Sequence, residues 1–290
     1  MDIALITQVG IMCIALVGLV KGSDFFVDAA ERIGLSWGIS PFVIGVTIVA
    51  FGTSLPELAS SIASVSAGES KMVMGNVVGS NITNITLVLG LVALVATRVP
   101  VDFKNMDLPL LISSAFLMWF VVSDGDIAIW EAGLFLVCLV ISLASTVGSN
   151  ETNDDDDRPT SSWKDFAWLI AGGGLVWVGA EYTVSAIQEI CTIQKISSGF
   201  VAQTVVALGT SLPEVVVSIA AARKGQASIA VGNVIGSNVF NTYAVLGIAR
   251  MFGPLEIEPA SLAFTVPIMI VVTLLLAFMT LTSKISRWEG

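Results

Sequence analysis

The chain has 290 residues, of which 55% are hydrophobic and only 12% are charged, and its formal net charge is −10. Soluble domains carry about 25% charged residues, so the composition excludes an ordinary soluble domain. The acidic balance, without a cluster of basic residues, also excludes a nucleic-acid-binding surface. Histidine is absent and the three cysteines lack paired spacing, which excludes histidine-based metal sites and a disulfide framework.

The apolar segments predict a polytopic α-helical membrane protein. Mean hydropathy is +0.89, and several apolar runs reach about 20 residues, the length that crosses a bilayer core. In chain order the spans are predicted near residues 5–33, 39–66, 72–96, 107–123, 128–147, 164–190, 196–223, 227–252 and 258–282. Residues 1–147 form the first half, residues 148–163 an acidic linker, and residues 164–290 the second half.

The second span contains a stretch that occurs twice. Residues 52–57 read GTSLPE, and residues 209–214 repeat these six letters, so that Glu57 corresponds to Glu214 at an offset of 157. The similarity extends over residues 39–91 and 196–248 without a gap, with about half of the paired positions identical. The chain is therefore an internal duplication.

A second repeated signature follows the first in each half. Residues 75–84 read GNVVGSNITN and residues 232–241 read GNVIGSNVFN. The glycines of these stretches have the spacing that lets helices approach closely, and we interpret them as packing residues. The asparagines and serines among them provide neutral oxygen atoms on the next helix.

The repeated proline and glutamate predict a broken helix at a functional site. Pro56 and Pro213 remove a backbone donor in the middle of an apolar segment, and in lipid the freed groups need protein or water partners. A Thr-Ser-x-Pro stretch by itself indicates only a helix kink, and a single glutamate can serve a structural hydrogen bond. A kink needs no carboxylate, however, and the same carboxylate in both halves marks a two-fold site.

The candidate ligands of this site are all oxygen atoms, which suit Ca²⁺ or Na⁺ rather than zinc or copper. The two carboxylates of Glu57 and Glu214 match one divalent ion in charge. We expect the carbonyls of Ala50 and Ala207 to be freed by the helix breaks. The remaining candidates carry hydroxyl or amide oxygens and are Thr53, Ser54, Ser80, Asn84, Thr210, Ser211, Ser237 and Asn241. The acidic run at residues 154–157 is interpreted as a solvated part of the linker.

The basic residues of the loops predict the orientation. Cytoplasmic loops carry the excess of Lys and Arg. If the N-terminus is outside, nine basic loop residues are cytoplasmic and three are external. The cytoplasmic set is Arg32, Arg98, Lys104, Arg158, Lys164, Arg223, Lys224, Lys284 and Arg287, and the external set is Lys71, Lys195 and Arg250. Five helices per half make the two repeats inverted. Residues 286–290 share Trp-Glu with the start of the fifth span, so a tenth span is expected and is apparently absent from this chain.

The paired GTSLPE and GNxxGSNxxN stretches resemble the two α-repeats of the sodium/calcium exchanger (calcium:cation antiporter) superfamily, over nearly the whole chain. The resemblance implies ten helices, with the second, third, seventh and eighth around the ion site. It implies that Glu57 and Glu214 are the central ligands. The ligands that join them by motif position are Thr53, Ser54, Ser80, Thr210, Ser211 and Ser237, with the backbone oxygens of Ala50 and Ala207. Some members carry Asp where this chain has Asn84 or Asn241, potassium-dependent ones among them, which argues against potassium cotransport.

The predicted function is that of an electrogenic Na⁺/Ca²⁺ antiporter in a prokaryotic plasma membrane. Ca²⁺ and Na⁺ are its substrates and the bilayer its surroundings; no cofactor, enzymatic activity, nucleic acid or obligatory protein partner is expected. A Ca²⁺/H⁺ antiporter of the same fold is the first alternative, in which protonation of Glu57 and Glu214 would couple transport. A cation channel is the second, and a quasi-symmetric site within an inverted repeat argues against it.

Overall fold

The computed structural model describes residues 3–96, 99–100, 107–148, 159–194, 209–280 and 284–285. Within these ranges the chain forms nine helical segments. They are α1 (Ile3–Ser36), α2 (Pro41–Ser66), α3 (Lys71–Val95), α4 (Asp107–Val122), α5 (Ile129–Gly148), α6 (Trp163–Ile193), α7 (Leu212–Arg223), α8 (Ala227–Phe252) and α9 (Ser261–Thr265 continuing as Val266–Thr280). Seven of them are long and apolar enough to cross a membrane.

Four of the helices are not uniform. Each contains one five-residue stretch of wider π-helical turns: Gly45–Val49 in α2, Asn84–Val88 in α3, Asn241–Val245 in α8 and Ser261–Thr265 in α9. The regular pieces around the first three are Pro41–Ile44, Ala50–Thr53, Leu55–Ser66, Lys71–Thr83, Leu89–Val95, Ala227–Phe240 and Leu246–Phe252. The turns of α3 and α8 begin at asparagines related by the repeat offset, and such turns are frequent at functional sites.

α1 and α6, the first helices of the two halves, pack against each other along their length. Glycines bring the two backbones together, because a Cβ atom at Gly172 would lie 2.7 Å from the amide nitrogen of Phe26, and one at Gly179 would lie 2.8 Å from that of Leu19. Aromatic contacts between Phe25 and Trp168 add to this packing, with ring centroids 5.0 Å apart. The two helices therefore form one tightly joined pair.

α8 lies at the centre of the molecule. It packs against α2, α3, α4, α5 and α7, and every residue of its most apolar window is buried. Gly232 and Gly236 make its crossing with α2 possible, since a Cβ atom at either position would lie 2.3 Å from a carbonyl oxygen of α2. The predicted packing role of these two glycines is confirmed. For Gly75 and Gly79 no such close backbone is found among the described residues. Gly232 packs against residues 45 and 46, and the equivalents of these two residues in the second half, 202 and 203, lie outside the described part of the chain.

Charged side chains tie helices together at both ends of the bundle. At one end Arg32 of α1 forms an ion pair with Asp165 of α6 at 2.7 Å, and Lys224 after α7 contacts Asp28 of α1 at 2.6 Å. At the same end a two-residue antiparallel pairing, β1 (Val99–Pro100) with β2 (Lys284–Ile285), joins the segment after α3 to the segment after α9. At the opposite end Lys71 of α3 lies 3.7 Å from Glu256, between α8 and α9. Each end thus holds loops from both repeats.

The all-α membrane fold predicted from the sequence is confirmed, and the nine spans occur where they were expected. The first helical part of the seventh span is the exception, because residues 195–208 lie outside the described part of the chain, as do residues 149–158 of the linker and residues 286–290. The interruption predicted in the second span occurs at Ser54, between Ala50–Thr53 and Leu55–Ser66.

Candidate functional site

Two helix breaks from opposite halves of the chain create the candidate site. Ser54 and Ser211 leave helical geometry in the same way, with φ/ψ angles of −89°/5° and −82°/1°, and a new helix begins directly after each. The proline that follows occupies the first turn of the new helix, where its missing N–H costs nothing. Glu57 and Glu214 are also in that first turn, where the exposed amide groups of the helix start favour a negative charge.

The two carboxylates are enclosed in protein. Glu57 and Glu214 are both 0% exposed. Oε1 of Glu214 accepts a hydrogen bond from Ser54 at 3.1 Å, and Oε1 of Glu57 accepts one from Ser80 at 3.5 Å. Oε2 of each glutamate has no hydrogen-bond partner within the described residues. Because a buried charge without a partner is strongly unfavourable, these two oxygens are suited to a cation.

Hydroxyl groups from both halves surround the carboxylates. Ser211 and Ser80 are linked through their Oγ atoms at 3.3 Å. Thr53 lies 3.4 Å from Ser237, again between hydroxyl oxygens. These four side chains are at most 1% exposed, and Thr210, in the corresponding position to Thr53, is half-buried. The hydroxyls predicted from the two motifs are thus gathered around the glutamates.

The predicted asparagine ligands are also buried in this region. Asn84 and Asn241 are both 0% exposed. Nδ2 of Asn84 donates to Oδ1 of Asn238 at 3.2 Å. Oδ1 of Asn84 and both amide atoms of Asn241 lack a hydrogen-bond partner within the described residues. Their free oxygen atoms are therefore available to a water molecule or a cation.

The expectation that the break frees the carbonyl of Ala50 is wrong. This oxygen accepts the backbone N–H of Ser54 at 3.0 Å, and the hydroxyl of Thr53 lies 3.4 Å from it. In a helix each N–H bonds the carbonyl four residues before it, so the missing donor of Pro56 concerns Gly52 rather than Ala50. A carbonyl oxygen has a second lone pair, and only through that lone pair can Ala50 serve as a ligand. Ala207 lies outside the described residues.

Two asparagine–serine pairs that were not predicted are part of the site's hydrogen-bond network. Asn76 donates to Ser61 at 3.0 Å, and Asn233 donates to Ser218 at 2.9 Å. Each asparagine also accepts from the threonine of the opposite half. The signal was in the sequence, since both residues of each pair recur at the same offset of 157.

The network departs from two-fold symmetry at its centre. The threonine–asparagine–serine contacts occur in both halves. By contrast, Ser54 donates to Glu214, whereas its counterpart Ser211 donates to Ser80. The outer part of the site thus follows the two-fold symmetry, and the part around the carboxylates has one of the two arrangements that this symmetry would exchange.

The chemistry of the site is confined to oxygen. Within the described residues no group of three or more His, Cys, Asp or Glu side chains could hold a metal, and the site itself combines two carboxylates with hydroxyl, amide and carbonyl oxygens. Such a set suits Ca²⁺ and Na⁺, which take oxygen ligands.

A cavity of about 790 Å³ lies elsewhere, between the α1–α6 pair and α2, α5 and α8, and is lined by apolar residues such as Phe26, Phe51 and Trp177.

Comparison with known proteins identifies the family of the chain. The family model described as "Sodium/calcium exchanger protein" matches residues 7–148 and 164–290. The chain belongs to the sodium/calcium exchanger family. The sodium/calcium exchanger MaX1 of Methanosarcina acetivorans is 36% identical, over 97% of this chain and 93% of that protein. The inner membrane protein YrbG of Escherichia coli is 32% identical, over 93% and 87%.

Solved structures of an exchanger share the fold. The sodium-calcium exchanger NCX_Mj, soaked with 2.5 mM Na⁺ and 10 mM Sr²⁺, superposes with a TM-score of 0.88 at 34% identity, covering 99% of this chain and 95% of that chain. The same exchanger soaked without Na⁺ and Ca²⁺ gives a TM-score of 0.86. Membership of the exchanger family confirms the predicted Na⁺/Ca²⁺ antiporter and does not favour the Ca²⁺/H⁺ alternative.

Proposed function

We propose that this exchanger binds Ca²⁺ and Na⁺ in turn at the site formed by Glu57 and Glu214. The observation that carries the proposal is the pair of fully buried carboxylates, one from each repeat, whose Oε2 atoms have no hydrogen-bond partner within the described residues. A divalent cation between them cancels both charges and replaces the missing partners. Neutral oxygens alone compensate less of the ion's lost hydration.

The neighbouring neutral oxygens complete the proposed coordination. Ser54 and Ser80 are bonded to the glutamates already, and Thr53, Ser211 and Ser237 surround them. The other proposed contributors are Asn84, Asn241, Thr210 and the carbonyls of Ala50 and Ala207. The same oxygens suit Na⁺, so the two ions compete. A loaded site has its charges neutralised and can be closed off from water, whereas an empty one retains two buried charges.

We also propose that potassium takes no part. Asn84 and Asn241 are uncharged, so the described site holds two carboxylates and no third. The fixed charge that an additional monovalent ion would need is therefore lacking. No resident cofactor and no protein partner is needed for this mechanism.

The orientation proposed is an outside N-terminus in a prokaryotic plasma membrane, with the acidic linker in the cytoplasm. The contacts of the basic residues support their division between two opposite ends of the bundle, and the excess of Lys and Arg at one of these ends supports the direction. Arg32 and Lys224, both assigned to the cytoplasm, make their ion pairs at one end of α1. Lys71 and Arg250, both assigned to the outside, make contacts with Glu256 and with the carbonyl of Ile127.

The test is uptake of ⁴⁵Ca²⁺ by proteoliposomes that contain the purified chain. Vesicles loaded with Na⁺ and diluted into Na⁺-free buffer should accumulate Ca²⁺, and external Na⁺ should inhibit the uptake competitively. A parallel set of vesicles with a pH gradient and no Na⁺ should accumulate none. Uptake driven by the pH gradient alone would replace Na⁺ by H⁺ as the coupling ion, and uptake without any counter-ion would indicate a channel.

A further inference from the structure

Asn76 makes three hydrogen bonds that connect the two repeats. Its Nδ2 donates to the backbone carbonyl of Glu57 at 3.2 Å and to the hydroxyl of Ser61 at 3.0 Å. Its Oδ1 accepts the hydroxyl proton of Thr210 at 3.3 Å. Ser61 and Glu57 belong to its own half, and Thr210 belongs to the helix break of the other half. One amide group thus joins both broken helices.

Asn233 repeats this arrangement in the second half. Its Nδ2 donates to the hydroxyl of Ser218 at 2.9 Å, and its Oδ1 accepts from Thr53 at 3.1 Å. Ser237 also points its hydroxyl at this Oδ1, at 3.5 Å. Asn233, Ser218 and Ser237 are 0% exposed and Thr53 is 1% exposed. Water therefore does not compete for these groups.

The contacts determine which way each amide faces. A backbone carbonyl can only accept a hydrogen bond, so the atom of Asn76 that meets the carbonyl of Glu57 must be the NH₂ group. Its oxygen then faces Thr210. Asn233 occupies the equivalent position, and the same orientation directs its oxygen towards Thr53 and Ser237.

The direction of these bonds decides what the hydroxyls can offer to a cation. A threonine hydroxyl has one proton and two lone pairs. When its proton is held by an amide oxygen, the lone pairs point elsewhere and are free to coordinate a metal ion. A hydroxyl without such a partner can turn its proton towards the ion and must be reoriented on binding. Groups behind the direct ligands commonly fix ligand orientation in this way.

We propose that Asn76 and Asn233 are positioning residues of the ion site. Each takes the hydroxyl proton of a threonine from the opposite repeat, Thr210 or Thr53, and so fixes the threonine oxygen in the orientation that binds a cation. Neither asparagine touches the ion itself. The inference rests on the proposed ion site, and it adds that the ligands of one repeat are oriented by amides of the other.

The test measures Ca²⁺ affinity and maximal transport rate separately. Asn233→Leu removes the amide at nearly constant volume, and the apparent KM for Ca²⁺ should rise about 10- to 100-fold, as is typical when an outer-shell partner of a metal ligand is lost. The maximal rate at saturating Ca²⁺ should stay near that of the wild type. Ca²⁺ titration of the thermal midpoint in detergent gives the dissociation constant without transport and should show the same factor. Thr183→Val is the matched control and should change neither value, because the buried hydroxyl of Thr183 donates to the carbonyl of Gly179 in its own helix, α6.

A double-mutant cycle separates positioning from a general structural role. If Asn233 acts through Thr53, Thr53→Val in the Asn233→Leu background should add little to the loss caused by Asn233→Leu alone. Losses that multiply, or a native KM in Asn233→Leu, would overturn the inference. Asn76→Leu with Thr210→Val forms the equivalent cycle in the other half, where both residues are only half-buried. This second cycle provides the test if Asn233→Leu does not fold.

The outcome also separates this inference from the ion site on which it rests. Loss of Ca²⁺ binding in Glu57→Gln together with native affinity in both asparagine variants rejects the positioning role alone. Native affinity in Glu57→Gln rejects the site itself, and with it the positioning role.

Discussion

Ser54 donates a hydrogen bond to Glu214 at 3.1 Å, across the boundary between the two repeats. The residue that breaks the helix of one half therefore contacts the carboxylate of the other. Its counterpart Ser211 contacts Ser80 instead, so the site is built from equivalent residues in unequal arrangements. Neither half has a complete site by itself, and substitutions in either should impair the same process.

The first prediction concerns the carboxylates. Glu57→Gln and Glu214→Gln should each reduce Na⁺-driven ⁴⁵Ca²⁺ flux to about 1% of the wild type or less, since removing one partner of a buried charge pair costs about 2–5 kcal/mol. Gln keeps the side-chain volume, so the protein should still fold. Glu131→Gln is the matched control, because Glu131 is a buried acid that caps the start of α5 through Ala128. Near-native flux in either site variant would mean that the carboxylate pair does not bind the ions.

The second prediction concerns the two threonines. Thr53→Ala and Thr210→Ala each remove one neutral oxygen and should raise the KM for Ca²⁺ about 10- to 100-fold, the effect of losing one polar contact to a charged group. The flux assay at several Ca²⁺ concentrations measures this change. Complete loss of transport at saturating Ca²⁺, with the protein folded, would contradict a neutral ligand role.

The third prediction concerns Asn241. Asn241→Asp would add a third carboxylate to the proposed site of Glu57 and Glu214, at a position that is fully buried. Three carboxylates in a dry site cannot all stay ionised without additional cations. Transport should therefore persist with a new dependence on pH or on monovalent cations. Flux measured from pH 6 to 9 with Na⁺, K⁺ or Li⁺ tests this, and a profile identical to the wild type would remove Asn241 from the site.

The fourth prediction concerns orientation. Position 69 lies in the exposed turn between α2 and α3 and is predicted to face outside. In a chain lacking its native cysteines, Glu69→Cys should react with a membrane-impermeant maleimide in intact cells. Arg223→Cys, at the opposite end and also exposed, should react only after permeabilisation. The reverse pattern would invert the topology.

The fold was largely predictable because its causes are local. Lipid demands long apolar helices, and Pro56 with its repeat Pro213 identifies the helix breaks directly. The glutamates were recognisable because a carboxylate in an apolar span is energetically unfavourable and is therefore a sign of function. These features depend on composition and spacing, which the sequence contains.

The hydrogen-bond network was less predictable because its causes are not local. Asn76 and Asn233 act on threonines of the opposite half, and only the packing of α3 and α8 against the helix breaks brings them together. A duplicated sequence is nearly symmetric, so it does not indicate which of Ser54 and Ser211 contacts a carboxylate. The error at Ala50 came from assigning the lost donor of Pro56 to a carbonyl that Ser54 still satisfies.

The complete burial of α8 has a consequence for how the protein is made. Its best window has a mean hydropathy of 1.2, equal to that of α6 and below the 2.6 of α9, but unlike the window of α6 it is buried at every position. Its polar residues include asparagines and serines of the proposed ion site. A segment of that polarity gains little by entering hydrocarbon alone, where its polar side chains would lack partners. During biosynthesis, α8 should therefore enter the membrane by packing against α2 and α3, which are made before it. The polarity that binds ions thus makes insertion of the second half depend on prior assembly of the first.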